Sequence, residues 1–271
     1  GTVLGMIAEL AELKGEDKQK YIDIYEEQKK LVNSTAWDGK WFIRCITDNG
    51  RFIGSEKEPQ AKIWLNSQSW SVISGMGDGE KKISAMDSVK KYLDTELGIK
   101  KIEPSMTVDY PTKDGNLTSY NKGCGENGSV FCHANTWAII AECMLKRPEN
   151  AYKYYHQLLP MIAQQKAGEW RYKAEPYVYA SNIFGPESDK FGLANVSWLT
   201  GTAAWMYIAV TQYMLGIRTK WNGLEIDPCL DSAMLPAKVK RVFRGKTYNI
   251  TITQNKKVIV PFEVENTDII I

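Results

Sequence analysis

The sequence predicts a mainly α fold, with helices paired around a toroid and a small β appendage at the C-terminal end. Three observations carry that prediction. Apolar residues recur at helical spacing in successive stretches separated by turn-forming residues. Two long polar loops, over 100–125 and 170–195, fall between those stretches, and loops of that length inside a compact domain are usually functional or disordered. After Leu224 the apolar period shortens from that of a helix to that of a strand. Helix pairs carrying long loops at one end are the signature of an α/α toroid, and 271 residues suffice to bury a large core.

The elements follow in order. Val3 to Leu13 is an apolar helical stretch with no cap, signal peptide or Met before it, so the chain is expected to begin inside an element. Asp17 to Val32 is amphipathic, with Tyr21, Ile24, Tyr25 and Leu31 on one face. Ser34 to Gly54 contains an Asp48-Asn49-Gly50 turn and reads as a hairpin or irregular excursion. Helices are expected over Leu65–Met76 and Lys81–Leu97, split by a glycine-rich break. Two more follow over Ser129–Leu145 and Glu149–Gln165, with Pro148 suited to a first turn. Val196 to Leu215 is the most apolar helical stretch, and Gly216 is its stop. Short strands are expected at Leu224–Pro228, Val239–Arg244, Thr247–Ile252 and Lys257–Val260. These boundaries divide the chain into a helical part, 1–223, and a β domain, 224–271.

Composition removes several function classes. Net charge is +2 with Lys and Arg spread along the chain, which argues against nucleic acid or an anionic membrane. No apolar run approaches the ~20 residues that span a bilayer. The five cysteines, odd in number and without a CxxC pair, read as reduced thiols of a cytoplasmic protein rather than a disulfide frame or zinc site. Nine tryptophans and fourteen tyrosines are a rich supply. Their faces can stack on sugar rings and their edges can hydrogen-bond, although helical barrels also use aromatics simply to pack.

The chemistry concentrates in two stretches. Lys122 to Trp137 is a glycine-studded approach to a helix, carrying Glu126, Asn127 and His133, one of two histidines in the chain. Glycines 123, 125 and 128 permit backbone angles and approaches that a Cβ forbids. Ser197 to Trp205 holds Thr200 and Gly201 at the expected start of the last long helix, where hydroxyls and free N–H groups can receive phosphate oxygens. Each stretch has a plain alternative: a turn with a core histidine in the first, an N-cap with close helix packing in the second. Two helix starts of this kind together suggest one convergent oxyanion site.

These residues also carry a resemblance. Gly125-Glu-Asn-Gly-Ser-Val-Phe-Cys-His-Ala-Asn-Thr-Trp137 resembles the inverting disaccharide phosphorylases of glycoside hydrolase family 94, whose best-known members act on cellobiose. Trp37–Trp41, Asn66–Gly75, Glu175–Tyr179, Trp198–Tyr207, Leu215–Arg218 and Ile226–Pro228 match in the same order, from end to end. The resemblance implies the later part of an (α/α)6 barrel followed by a small C-terminal β-sandwich-type domain. It implies that His133, Thr200 and Gly201 hold phosphate and that Glu126 binds sugar hydroxyls. Asn127, Gln68 and Glu175 sit in matching blocks as further sugar-binding candidates.

The implied reaction is phosphorolysis of a β-linked disaccharide or oligosaccharide with inversion, giving an α-sugar 1-phosphate, with phosphate as substrate and no metal or organic cofactor. The general acid of the family lies in an Asp-Trp-Asn-Asp-Gly segment, which this sequence lacks. That acid is expected upstream of Gly1, so this chain alone is expected to be inactive, with exposed apolar helix faces, and the complete enzyme to be a homodimer. Cellobiose-specific relatives carry a basic residue before the Glu-Asn-Gly, where this chain has Gly125, and Gln where it has Ser181. Both departures bear on which sugar is accepted. A toroid hydrolase, which needs a second carboxylate to activate water, and a non-catalytic sugar-binding module are the alternatives.

Overall fold

The computed structural model describes residues 1–107, 120–263 and 267–271. Of the polar loop expected over 100–125, residues 108–119 therefore lie outside the described residues. Helices α1 (Thr2–Leu13) and α2 (Gln19–Thr35) pack on each other. α1 leaves Val3, Met6, Leu10 and Leu13 exposed, the apolar face anticipated above. The expected hairpin forms from β1 (Cys45–Ile46) and β2 (Phe52–Ile53), closed through Asp48-Asn49-Gly50. Strand β3 (Ile63–Trp64) leads directly into α3 (Leu65–Ile73), and α4 (Gly79–Tyr92) packs on α3.

Several helix boundaries differ from the sequence expectation, most of them through tertiary pairing. α4 ends at Tyr92 rather than Leu97, because β4 (Asp94–Thr95) and β5 (Gly98–Ile99) fold into a tight hairpin. There the Thr95 hydroxyl donates to the Gly98 carbonyl (2.6 Å) and accepts the Leu97 N–H (3.2 Å). β6 (Ile102–Glu103) then returns antiparallel to β3. The helix expected from Ser129 starts at Cys132, since β7 (Val130–Phe131) pairs with β8 (Asn182–Ile183) before α5 (Cys132–Met144) begins. The single helix expected over Glu149–Gln165 is two, α6 (Pro148–Leu158) and α7 (Pro160–Ala167). Leu159 between them has ψ 127°, as expected of a residue whose α conformation is blocked by the following proline. The short α8 (Glu169–Tyr172) follows.

The last long helix also starts late. Val196 to Gly201 is not helical: the Val196 carbonyl accepts from Ser181 N–H (2.8 Å), and Asn195 N–H donates to the Asn182 carbonyl (2.8 Å). α9 (Thr202–Ile208) begins beyond that tether and runs on as a π-helical stretch, Ala209–Met214. The remaining strands are β9 (Ile217–Lys220), β10 (Gly223–Ile226), β11 (Ala237–Phe243), β12 (Lys246–Ile252), β13 (Val258–Pro261) and β14 (Asp268–Ile270). They form one antiparallel sheet ordered β13-β10-β9 and another ordered β11-β12-β14, in which β14 runs parallel to β12. The first sheet thus opens at Ile217, a few residues ahead of Leu224.

One core joins helices and strands. Leu65, Met86, Ile139 and Tyr154 belong to the same buried cluster as Leu224 and Tyr248. Its centre is α5, which touches α3, α6 and α9 and buries ten of its thirteen residues. A helix surrounded on all sides must be apolar all round, and Ala134-Asn-Thr-Trp-Ala-Ile-Ile-Ala141 nearly is. Among the described residues no helix is long and apolar enough to cross a membrane.

The charged exception on α5 is Glu142, fully buried with Oε2 3.4 Å from Asn150 Nδ2 and 3.8 Å from Arg147 Nη1, while Oε1 has no hydrogen-bond partner among the described residues. Burial pushes its carboxyl up to about 7, with Arg147 only partly opposing the shift. Between pH 4.5, its value when solvated, and about 7, the folded chain holds the proton more tightly than the unfolded chain. Stability should therefore fall as pH rises through that window and level off above it, by roughly 1–3 kcal/mol in all. Glu142→Gln should remove that slope and be the more stable protein at pH 8. Urea unfolding of both at pH 5 and pH 8 checks this, and equal slopes for the two would refute it.

Candidate functional site

His133 is the second residue of α5, and the pairing of β7 with β8 fixes where that first turn begins. The imidazole lies inside an aromatic enclosure. Its ring centroid is 4.7 Å from Trp137, one turn along the same helix, and 6.2 Å from Trp205 on α9. Trp137 in turn meets Trp70 of α3 at 5.4 Å and Trp205 at 5.8 Å, both edge-on. Tryptophans that read equally well as packing are thus gathered from three helices, two of them against the histidine and Trp70 behind Trp137. Two atoms in this enclosure, His133 Nε2 and Trp137 Nε1, are buried without a hydrogen-bond partner among the described residues. Buried polar atoms are nearly always paired, so orphans of this kind call for a ligand or an ordered water.

Gly201 closes one side of the ring. A Cβ placed there would stand 2.9 Å from His133 Cε1 and 3.1 Å from Nδ1, so the backbone at 201 lies flat against the imidazole. The preceding Thr200 hydroxyl accepts the Thr202 N–H (2.9 Å) and bonds the buried Thr202 hydroxyl. Of the three residues expected to form the phosphate site, the structure thus puts Gly201 against His133, with Thr200 next in the chain and its hydroxyl turned to Thr202. Burial holds the His133 imidazole below the usual histidine range, and the nearby Lys101 ammonium lowers it further. At neutral pH the ring is uncharged and offers one N–H donor.

The expected sugar residues separate into three environments. Glu126 is ion-paired with Lys101 and remains partly open to solvent. Asn127 is fully buried; both donors of its amide go to backbone carbonyls, of Met106 (2.9 Å) and Tyr120 (2.9 Å), and its oxygen takes the Met106 N–H (2.7 Å). Gln68 is likewise fully buried, its amide bonded to Phe42 N–H, Phe42 carbonyl and Trp64 carbonyl at 2.8–2.9 Å. These two amides hold backbone in place and have no donor left for a sugar. Glu175 is exposed in a cleft of about 800 Å³ with Trp170, Asn195 and Trp198, whose lining does not include His133 or Glu126.

Sequence reasoning passed over Lys101. Lys100 and Lys101 open the long polar stretch and read as loop, yet both are buried. Lys101 N–H donates to the Ser129 carbonyl and its own carbonyl accepts from Leu65 N–H, both at 2.9 Å. A lysine pair inside the apolar run Gly98-Ile-Lys-Lys-Ile102 was the available signal. Among the described residues no group of three or more His, Cys, Asp and Glu is placed to hold a metal ion.

Residues 2–216 match the catalytic domain of the glycosyl hydrolase 94 superfamily. The chain belongs to that family. It is 36% identical over 229 residues to solabiose phosphorylase of Paenibacillus borealis, covering 84% of this chain and 29% of that protein. It is 37% identical over 242 residues to N,N'-diacetylchitobiose phosphorylase of Vibrio proteolyticus, covering 88% and 30%. To 3-O-beta-D-glucopyranosyl-beta-D-glucuronide phosphorylase of P. borealis it is 33% identical over 226 residues, covering 82% and 28%. The chain thus spans less than a third of the length of these family 94 relatives.

The contact between Gly201 and His133 is directly testable. Gly201 has φ −92° and ψ 4°, angles that alanine tolerates, so Gly201→Ala probes the ring contact rather than backbone strain. The variant should lose about 1–3 kcal/mol of stability from overpacking. In NMR spectra its His133 imidazole signals should move while those of His156, on α6, stay fixed. Unmoved His133 signals would refute the contact.

Proposed function

We propose that this chain is the phosphate- and sugar-holding part of an inverting disaccharide phosphorylase, acting on a β-linked, cellobiose-like disaccharide or oligosaccharide. The observation that carries the reading is the orphaned His133 Nε2 inside the tryptophan enclosure, with the Gly201 backbone against the ring. The names of the three relatives given above, each a phosphorylase, support it. In this reading residues 1–216 belong to an (α/α)6 barrel and 217–271, from β9 onward, to a β domain.

Phosphate brings its own negative charge, so the site has no need of a carboxylate to activate water, as inverting hydrolysis requires. The site must hold the anion and aim one oxygen at the anomeric carbon. The neutral His133 donates an N–H, the Thr200 hydroxyl a second bond, and the bare Gly201 backbone lets the anion approach. As a phosphate oxygen bonds to the anomeric carbon, the bond to the glycosidic oxygen breaks and that oxygen takes a proton from an aspartic acid. We assign that acid to a segment outside these 271 residues, in keeping with the lack of an Asp-Trp-Asn-Asp-Gly segment. Glu126 accepts hydrogen bonds from sugar hydroxyls, and the tryptophans exclude water from the reacting carbon.

The test uses the intact protein that carries this chain, with cellobiose and N,N'-diacetylchitobiose as substrates. Phosphate-dependent formation of an α-sugar 1-phosphate is expected, read by NMR of the anomeric proton. His133→Ala should lower kcat/KM for phosphate by roughly 10²–10³, as for loss of one preorganised donor in other enzymes. Release of free sugar without phosphate would identify a hydrolase instead. Full phosphate dependence at wild-type rate in His133→Ala would overturn the assigned phosphate site.

A further inference from the structure

Resting on the assignment of Glu126 as a sugar contact, we propose that Lys101 is the positioning residue for that carboxylate. It supplies from the bend between β5 and β6 the cation that position 125 cannot carry, and so sets the affinity and choice of sugar. The first support is the conformation of Gly125. Its φ of +50° is in the left-handed region, and a Cβ there would stand 2.8 Å from two ring carbons of Tyr120. A lysine or arginine at 125 would need both a strained backbone and a displaced tyrosine.

The second support is where the ammonium comes from instead. Lys101 Nζ is ion-paired with Glu126, and the side chains are 11% and 30% exposed. It lies 4.4 Å from the centroid of the Phe131 ring, next to the β7–α5 junction that sets His133 in place. Its backbone is held on both sides, by Ser129 and by Leu65 at the start of α3, so the ammonium reaches Glu126 from a fixed base.

Energetics separate a positioning role from a structural one. A largely buried ion pair contributes little net stability, because desolvating the two charges offsets their attraction. Burial does pull the Lys101 ammonium below the usual lysine range, in spite of Glu126, and the Arg44 charge adds to the shift. The cation therefore sits where it is costly to keep, facing a carboxylate that is open on its other side. An ionised carboxylate is the better acceptor for sugar hydroxyls, and a fixed one discriminates between hydroxyl arrangements. Lys101 secures the fixed position.

The experiment measures disaccharide affinity by calorimetry without phosphate, on the intact protein and its Lys101→Met, Lys101→Arg, Glu126→Gln and Lys101→Met/Glu126→Gln variants. Lys101→Met should weaken disaccharide binding at least about tenfold, the scale of one charge-assisted bond, and phosphate binding clearly less, since the ammonium acts on His133 only from a distance. Lys101→Arg should restore most of it. The double variant should bind no worse than Glu126→Gln alone, because Lys101 acts through Glu126. Unchanged disaccharide affinity in Lys101→Met, an equal loss for phosphate, or additive losses in the double variant would each overturn the proposal. A wild-type protein that binds disaccharide yet forms no sugar 1-phosphate would overturn the reaction proposed above while leaving these comparisons readable. One that binds no disaccharide would overturn both.

Discussion

The burial of α5 is the constraint on which the remainder of the structure depends. With ten of thirteen residues out of solvent, this helix can neither turn about its axis nor slide without opening the core against α3, α6 and α9. Its first turn is fixed as well, because the backbone on either side of it is already committed. The Asn135 amide donates to the Ile99 carbonyl (2.9 Å) and accepts the Ile99 N–H (2.7 Å), pinning the helix to the β4–β5 hairpin. The Cys132 N–H reaches the Ser181 carbonyl at 3.2 Å. A histidine at the second position of such a helix has one place to be.

From that fixed point the site assembles by contact. His133 lies between Trp137 of its own helix and Trp205 of α9, and Gly201 precedes α9 with its backbone against the imidazole. The glycine loop before α5 is held by the buried Asn127 amide, which binds Met106 and Tyr120, while the Gln68 amide ties Phe42 to Trp64 at the start of α3. These residues shape the frame, and the atoms left without partners, His133 Nε2 and Trp137 Nε1, face one another's neighbourhood inside it. Rigid support around a few unsatisfied polar atoms is what a preorganised binding site requires.

Where sequence and structure part, the cause is nearly always a backbone pairing between distant segments. Ser129 to Phe131 has an apolar pattern that suits a helix, but Val130 pairs with Ile183 and the helix waits until Cys132. Val196 to Thr200 shares the apolar character of the following helix, yet its start is tethered to Ser181 and Asn182. The break at Leu159 is different: the proline at 160 announces it locally, and the long apolar pattern over Glu149–Gln165 obscured it. Asn127 and Gln68 illustrate a further limit. Their residue type and motif suggest ligand contact, while only the packed structure reveals that backbone groups have taken up their donors.

The sequence by itself determined the helical character of the chain, the β strands near its end and the family, and it singled out His133, Thr200 and Gly201 as candidates. All of these rest on local period or on contiguous motifs, which are properties of neighbouring residues. Only the tertiary structure decided that Trp137 and Trp205 flank His133 with Trp70 behind Trp137, that Glu142 is buried with one oxygen unpaired among the described residues, and that Lys101 is the partner of Glu126. Each of these joins segments far apart in the chain or sets the depth of a side chain in the core. Such relations arise when α5 is enclosed by its neighbours, and no local pattern of residues encodes them.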